Sequence, residues 1–304
     1  MRGEKMGDLG AFPYVFKPNV AAIDRATRGF AAGASWFFED IVGQGLIRLV
    51  GSINWMLAHI PWFVLVALVF ALGWKARGKL RSGLLYAVLL CLVGVVGLWT
   101  MMLQTLAIVL ASVLIALIFG FPIGILLSAS DRATRIVRPV LDTMQTMPVF
   151  VYLIPALLFF GMGSASAVIA TVIYAIVPVI RLTSLGIRQV DEDVVEASRA
   201  FGATRGQTLY KVQIPQAMPT IMAGVNQTLM MAMAMVVTCS MIGARGLGNE
   251  VLIAVNRTEI GRGLVSGFSV VILAVLMDRL TQGWFGTDKK KARESRKPGG
   301  EQNG

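Results

Sequence analysis

Charge is what this chain has least of. Only 15% of its residues are Asp, Glu, Lys or Arg, against 56% hydrophobic ones, and its mean hydropathy is +0.70. That leaves too little polar surface to cover a water-soluble globule. A polytopic integral membrane protein is the class that remains, all-α, with most of its length spent crossing lipid. Cysteine is nearly absent. Cys91 and Cys239 both lie inside apolar runs, where a thiol behaves as a small hydrophobe, so neither a disulfide framework nor a metal cluster is indicated. The single histidine, His59, has no Cys or carboxylate cluster beside it and reads as an interfacial side chain rather than a ligand or base. No G-x-x-x-x-G-K-S/T run occurs, which removes the backbone cradle and phosphate-binding lysine of a P-loop. GATRGQT at 202–208 and GARGLG at 243–248 read as turns instead. The opening residues lack the continuous apolar core of a cleavable signal, so no leader is expected to be removed.

What is present is a series of long uncharged runs. A helix rises about 1.5 Å per residue and the hydrocarbon core is about 30 Å thick, so a crossing takes about twenty residues. Residues 55–74 make the first, with Trp55 and Trp74 as interfacial anchors. From Gly83 to Ser130 no charged residue occurs, which is too long for one helix and predicts two crossings folded back around Gly97 to Met101. Residues 143–180 are again uncharged and are divided by GMGSAS at 161–166, giving crossings four and five. Met218 to Gly243 and Gly263 to about Phe285 complete a set of about seven.

The net charge of +11 points to topology rather than to nucleic acid, because the basic residues gather between the apolar runs. Lys75 to Arg81, then Arg132, Arg135 and Arg138, then Arg181 through Lys211, and finally Lys289, Lys290, Lys291, Arg293, Arg296 and Lys297 all fall on one side of the count. Lys and Arg accumulate in cytoplasmic loops, so the N-terminus is expected outside and the C-terminus inside. Three regions follow: an extracytoplasmic N-terminal segment, 1–54, with an amphipathic helix at the outer interface; a transmembrane domain, 55–285, carrying a cytoplasmic loop at 181–217; and a basic cytoplasmic tail, 286–304.

The loop is the least expected feature of so oily a chain. Asp191, Glu192 and Asp193 favour the N-terminus of a short helix. Val190, Val194, Ala197 and Phe201 recur at helical spacing and share one face, which leaves Glu196 and Arg199 for water or a partner. Gly202 ends that helix, Thr204 can cap a second one running to about Val212, and Pro215 forbids its simple continuation.

The pattern Glu196-Ala197-Ser198, then Gly202, then Val212-x-Ile214-Pro215 resembles the EAA loop of ABC importer permeases. More widely, LDTMQTMPVFVYLIPALLFFGMG, LTSLGIRQV, MPTIMAGVNQTLMMAMAMVV and SMIGARGLGNEV resemble the permeases of glycine betaine, proline betaine and choline importers over roughly 100–285. The resemblance implies a type I ABC importer permease fold in an inner membrane, with Glu196, Ala197, Ser198, Gly202 and Pro215 in a coupling element. It also implies a cytoplasmic ATPase subunit that binds the ATP, an extracytoplasmic substrate-binding protein and a permease homodimer in membrane lipid. No cofactor belongs to this chain, and no catalytic or metal-binding residue is expected.

A quaternary ammonium has no N–H to donate and is best met by aromatic faces. Tyr152 and Tyr174 in crossings four and five, and the amides Asn226 and Gln227 in crossing six, are therefore the pathway candidates, since polar groups within a membrane helix turn from lipid. The rival class is an ion-coupled secondary transporter. It needs an acid or broken-helix ion site near the midplane, and no Asp or Glu lies in the middle of an assigned crossing, Asp278 being close to the inner end.

Overall fold

Lipid has no water to bridge unpaired N–H and C=O groups, so an oily chain satisfies its backbone within helices. Every regular element among the described residues is helical. The computed structural model describes residues 19–294, apart from the side chains of Ile23, Phe30, Arg77 and 283–294. Residues 1–18 of the N-terminal segment and 295–304 of the basic tail, with Arg296 and Lys297, lie outside the described residues.

The helices in chain order are α1 (Val20–Gly33), α2 (Gln44–His59), α3 (Trp62–Arg77), α4 (Leu80–Val95), α5 (Trp99–Ser128), α6 (Asp131–Thr146) and α7 (Val149–Phe160). They are followed by α8 (Ser164–Arg188), α9 (Glu192–Ala200), α10 (Arg205–Thr208), α11 (Ile214–Thr238), α12 (Leu247–Arg257) and α13 (Ile260–Glu294). Wide-turned helix at Trp36–Gly43 leads into α2, and a second wide turn at Leu209–Gln213 joins α10 to α11.

Among the described residues, five stretches are long and apolar enough to cross a membrane: Trp36–His59, Trp99–Ser128, Ser164–Arg188, Arg205–Ile242 and Ile260–Gln282. The pair α6–α7, bent by 98°, makes a sixth if taken together, and α3 and α4 are shorter apolar helices. The expected number of about seven is thus met approximately, with different boundaries. The crossing expected over 55–74 is cut at Ile60, whose ψ is 120°, because Pro61 has no N–H and drives the residue before it out of the helical region. The same effect at Met147 and Pro148 turns the expected fourth crossing into two helices, Met147 being extended at ψ 132°. The opening segment, expected as one amphipathic helix, divides into the charged α1 and the apolar run through α2. The reversals at Gly97 and at Gly161 to Gly163 lie where the sequence places them.

The core is a layer of α5, α8 and α11. Gly120 and Gly124 of α5 face Val179 and Thr183 of α8, with positions rising together, so these helices run parallel. Gly224 of α11 faces Leu182 and Pro178, and Gly186 of α8 faces Ala217 and Thr220, so α8 and α11 run antiparallel. A β-carbon on Gly124 would lie 2.7 Å from Thr183 Cβ and 2.9 Å from the Ile180 carbonyl oxygen, closer than packed atoms allow. Around this layer, α3 packs on α4 and α13, α2 on α5, and α7 on α8.

Gly124→Leu is expected to destabilise the bundle by about 1–3 kcal/mol through overpacking, read as a lower thermal unfolding midpoint in detergent. Gly45→Ala, where an added β-carbon meets nothing within 4 Å, is expected to leave the midpoint in place.

Candidate functional site

The polar loop closes one end of the α5–α8–α11 layer. The Asp191 carboxylate accepts the Asp193 N–H at 3.0 Å and starts α9, as the run of acids predicts. At the other end Gly202 adopts φ +83°, a left-handed conformation that costs an L side chain about 1–2 kcal/mol. This geometry lets the Gly202 and Ala203 N–H groups return to the carbonyls of Arg199 and Ser198. A reciprocal cap then opens α10: the Gln207 N–H donates to Thr204 Oγ1 and the Thr204 N–H donates to Gln207 Oε1.

Two expectations are corrected here. The expected stripe of Val190, Val194, Ala197 and Phe201 is not a buried face: Val190 is buried, but Val194 and Ala197 are exposed and Phe201 is 94% exposed. Helical spacing shows which residues share a side, not which side the rest of the fold covers. The adjacent row, Val195 and Ser198, turns inward, and Val195 joins Val190, Ile187, Ala217 and Ile221 in one apolar cluster. Pro215 likewise does not end the second helix. The turn at Leu209–Gln213 widens, which makes room for the proline ring that would otherwise strike the carbonyl four residues back. Helix therefore continues from Arg205 to Ile242.

Ser198 is a fastener. Its hydroxyl donates to the Val195 carbonyl and lies 3.0 Å from Thr208 Oγ1, a buried hydroxyl, so α9 is tied to α10 across the Gly202 turn. Glu196 is exposed at the rim of a polar cleft shared with Arg188, Arg199 and Gln213. Beneath the loop, Arg188 binds Asp131, the Leu127 carbonyl and Thr134, and Arg181 binds Asp142. Both ties lock α6 to α8. In the sequence these arginines indicate topology alone and Thr208 carries no signal; the lone acids Asp131 and Asp142 in a basic stretch are the available sign of the ion pairs.

The four pathway candidates do not converge on one point. Tyr152 and Tyr174 meet edge to face with ring centres 5.9 Å apart, and the Tyr152 hydroxyl donates to the Met144 carbonyl. Asn226 instead donates to Asp278 on α13 at 2.9 Å, where Gln282 also donates; the Asn226 carbonyl oxygen is buried without a partner. Gln227 is exposed and points away from that cluster, as one residue along a helix turns the side chain by about 100°.

Residues 114–283 match the family described as "Binding-protein-dependent transport system inner membrane component". The chain is 44% identical over 270 residues to the glycine betaine/carnitine transport permease protein GbuB of Listeria monocytogenes, covering 88% of this chain and 95% of that one. It is 51% identical over 216 residues to the glycine betaine/proline betaine transport system permease protein ProW of Escherichia coli, covering 71% of this chain and 61% of the longer relative. Among solved structures, an inward-facing MetNI methionine ABC transporter shares the fold with a TM-score of 0.55 at 24% identity, over 66% of this chain and 96% of that one.

A double-mutant cycle on Ser198→Ala and Thr208→Val is expected to return a coupling of about 1 kcal/mol, measured as local opening of α9 by native-state hydrogen exchange, with no change in exchange of α5.

Proposed function

This chain belongs to the binding-protein-dependent transport system inner membrane component family, and on that premise we propose that it is the permease of an ATP-driven importer of glycine betaine, proline betaine or choline. Members of this family are multi-pass transport subunits and are not themselves enzymes. The substrate class rests on the glycine betaine permeases that match most of the chain. A cytoplasmic ATPase subunit supplies ATP hydrolysis, an extracytoplasmic binding protein delivers the solute, and two copies of this chain enclose the path. The N-terminus lies outside and the C-terminus in the cytoplasm, in keeping with the basic loops.

The observation that carries the coupling role is the outward face of α9. Val194, Ala197 and the almost fully exposed Phe201 form an apolar row on a loop otherwise rich in charge, and exposed apolar surface of this kind marks a contact with another protein. Behind it, Ser198 and Thr208 fasten α9 to α10, and α10 runs into α11 as one helix. A push from the motor on Phe201 passes through Ser198 and the Gly202 turn into a stiff rod that reaches across the bilayer, and into α8 from the other end of the loop. Glu196 borders the same surface. Gln227 is exposed halfway along α11, where lipid offers its amide no partner; a second permease or a water-filled path does.

An ion-coupled carrier is the weaker reading. Asp278, expected near the inner end, instead meets Asn226 midway along α11 and accepts from it and from Gln282, which makes it a tie between α11 and α13.

Co-expressed with its ATPase and binding protein in proteoliposomes, the wild-type chain is expected to take up labelled glycine betaine only with ATP inside. Gly202→Asp, which places a side chain at φ +83°, is expected to cut uptake at least tenfold while ATP hydrolysis continues. Uptake driven by an ion gradient without the ATPase would overturn the assignment.

A further inference from the structure

The far end of α8, about 37 Å from the polar loop at 1.5 Å per residue over its 25 residues, holds a cleft of about 410 Å³ between α2, α5 and the turns that precede α8 and α12. Its polar lining is Asn54, Gln104, Ser164 and Arg245; Ile108 and Met162 contribute apolar wall. None of the four polar side chains has a hydrogen-bond or ion-pair partner among the described residues. Among the described residues that line the cleft, Arg245 is the sole charged one.

The turn that carries Arg245 is pinned on both sides. The Ala244 N–H donates to the Cys239 carbonyl and the Leu247 N–H donates to Thr105 Oγ1, while Gly246, at φ +131°, lies so close to Thr105 that a β-carbon could not be accommodated. The Gly163 N–H donates to the Ile242 carbonyl at 3.1 Å, which joins this turn to the start of α8. The first amides of that helix have no backbone acceptor within it, so they reinforce the positive character that Arg245 gives the cleft.

We propose that this cleft receives a zwitterionic methylated amine, its carboxylate on Arg245 and its methyl groups against Ile108 and Met162. The inference rests on the transport reading above and deepens it. A guanidinium matches a carboxylate with two parallel N–H donors, and the amides of Asn54 and Gln104 can donate to the same oxygens. A trimethylammonium has no N–H, and in place of the aromatic faces that suit it best this cleft offers the polarisable thioether of Met162. The volume falls in the range of small-molecule sites. Choline carries the same cationic head without the carboxylate, so Arg245 repels it with nothing in exchange. The permease thereby adds its own selection for zwitterions over cations, on the side that faces the binding protein.

The test uses the permease–ATPase complex in nanodiscs without binding protein, reading saturation transfer from protein to the methyl protons of glycine betaine or choline. The wild type is expected to favour glycine betaine by about tenfold, the amount one charge-assisted pair contributes. Arg245→Gln is expected to abolish that preference and Arg245→Lys to keep part of it, with the ATPase still bound and the unfolding midpoint unchanged. Should Arg245→Gln fail to assemble, Gln104→Ala is expected to weaken glycine betaine alone. Equal transfer to both solutes in the wild type, or a preference that survives Arg245→Gln or Gln104→Ala, would overturn the proposal, as would Arg245→Gln weakening only the docking of the binding protein. Uptake by the same complexes with binding protein added separates the two readings: no ATP-dependent uptake of any methylated amine sinks the transport assignment, whereas normal uptake with an unaltered preference in Arg245→Gln sinks only this site.

Discussion

Close approach of backbones is the constraint on which the rest of this molecule depends. In water, burial of apolar side chains drives helices together, but lipid tails are as apolar as leucine, so association within a bilayer relies on packing and on polar contacts between helices. Gly120 and Gly124 on α5, Gly186 on α8 and Gly224 on α11 supply that packing by removing the side chains that would hold the helices apart. The three helices so joined fix the positions of both functional ends: the polar loop spans α8 and α11 at one end, and the cleft beside Arg245 opens where α5 and α8 begin.

Polar groups do the rest of the joining, and each marks a connection that has to hold while something else moves. Arg181 and Arg188 clamp α6 to α8. Asp278 gathers Asn226 and Gln282, tying α13 to α11 within the apolar span. Ser198 and Thr208 make the loop a single piece. An unpaired polar group in hydrocarbon is costly, so the tie between Asn226 and Asp278 resists breaking most, whereas water can replace the partners of the exposed Asp131 and Asp142.

How much of this was legible beforehand follows from the physics of each feature. The uncharged runs, the reversal at Gly97 and the break at Gly161 to Gly163 were readable because charge and glycine act locally. The caps at Asp191 and Thr204 were readable for the same reason. The face of α9 was not, because Val194 and Val195 are equally apolar and only the ends of α8 and α11 decide which is covered. Pro215 misled because its usual effect assumes a regular helix, and a widened turn removes the clash. The pathway residues were chosen by chemical type, which carries no information about direction; Tyr152 and Tyr174 found each other, whereas Asn226 and Gln227 parted.

The parallel course of α5 and α8 also bears on how the molecule is made. Gly120 leaves the ribosome well before its neighbour Val179, and at about 5–20 residues per second the delay amounts to several seconds. Through that interval α5 waits in the bilayer with its small-residue groove uncovered, while α6 and α7 are threaded back to begin α8 on the correct side. Gly120 and Gly124 form a G-x-x-x-G step, the kind of surface on which membrane helices associate, so for those seconds the seat is open to any helix able to approach as closely as α8.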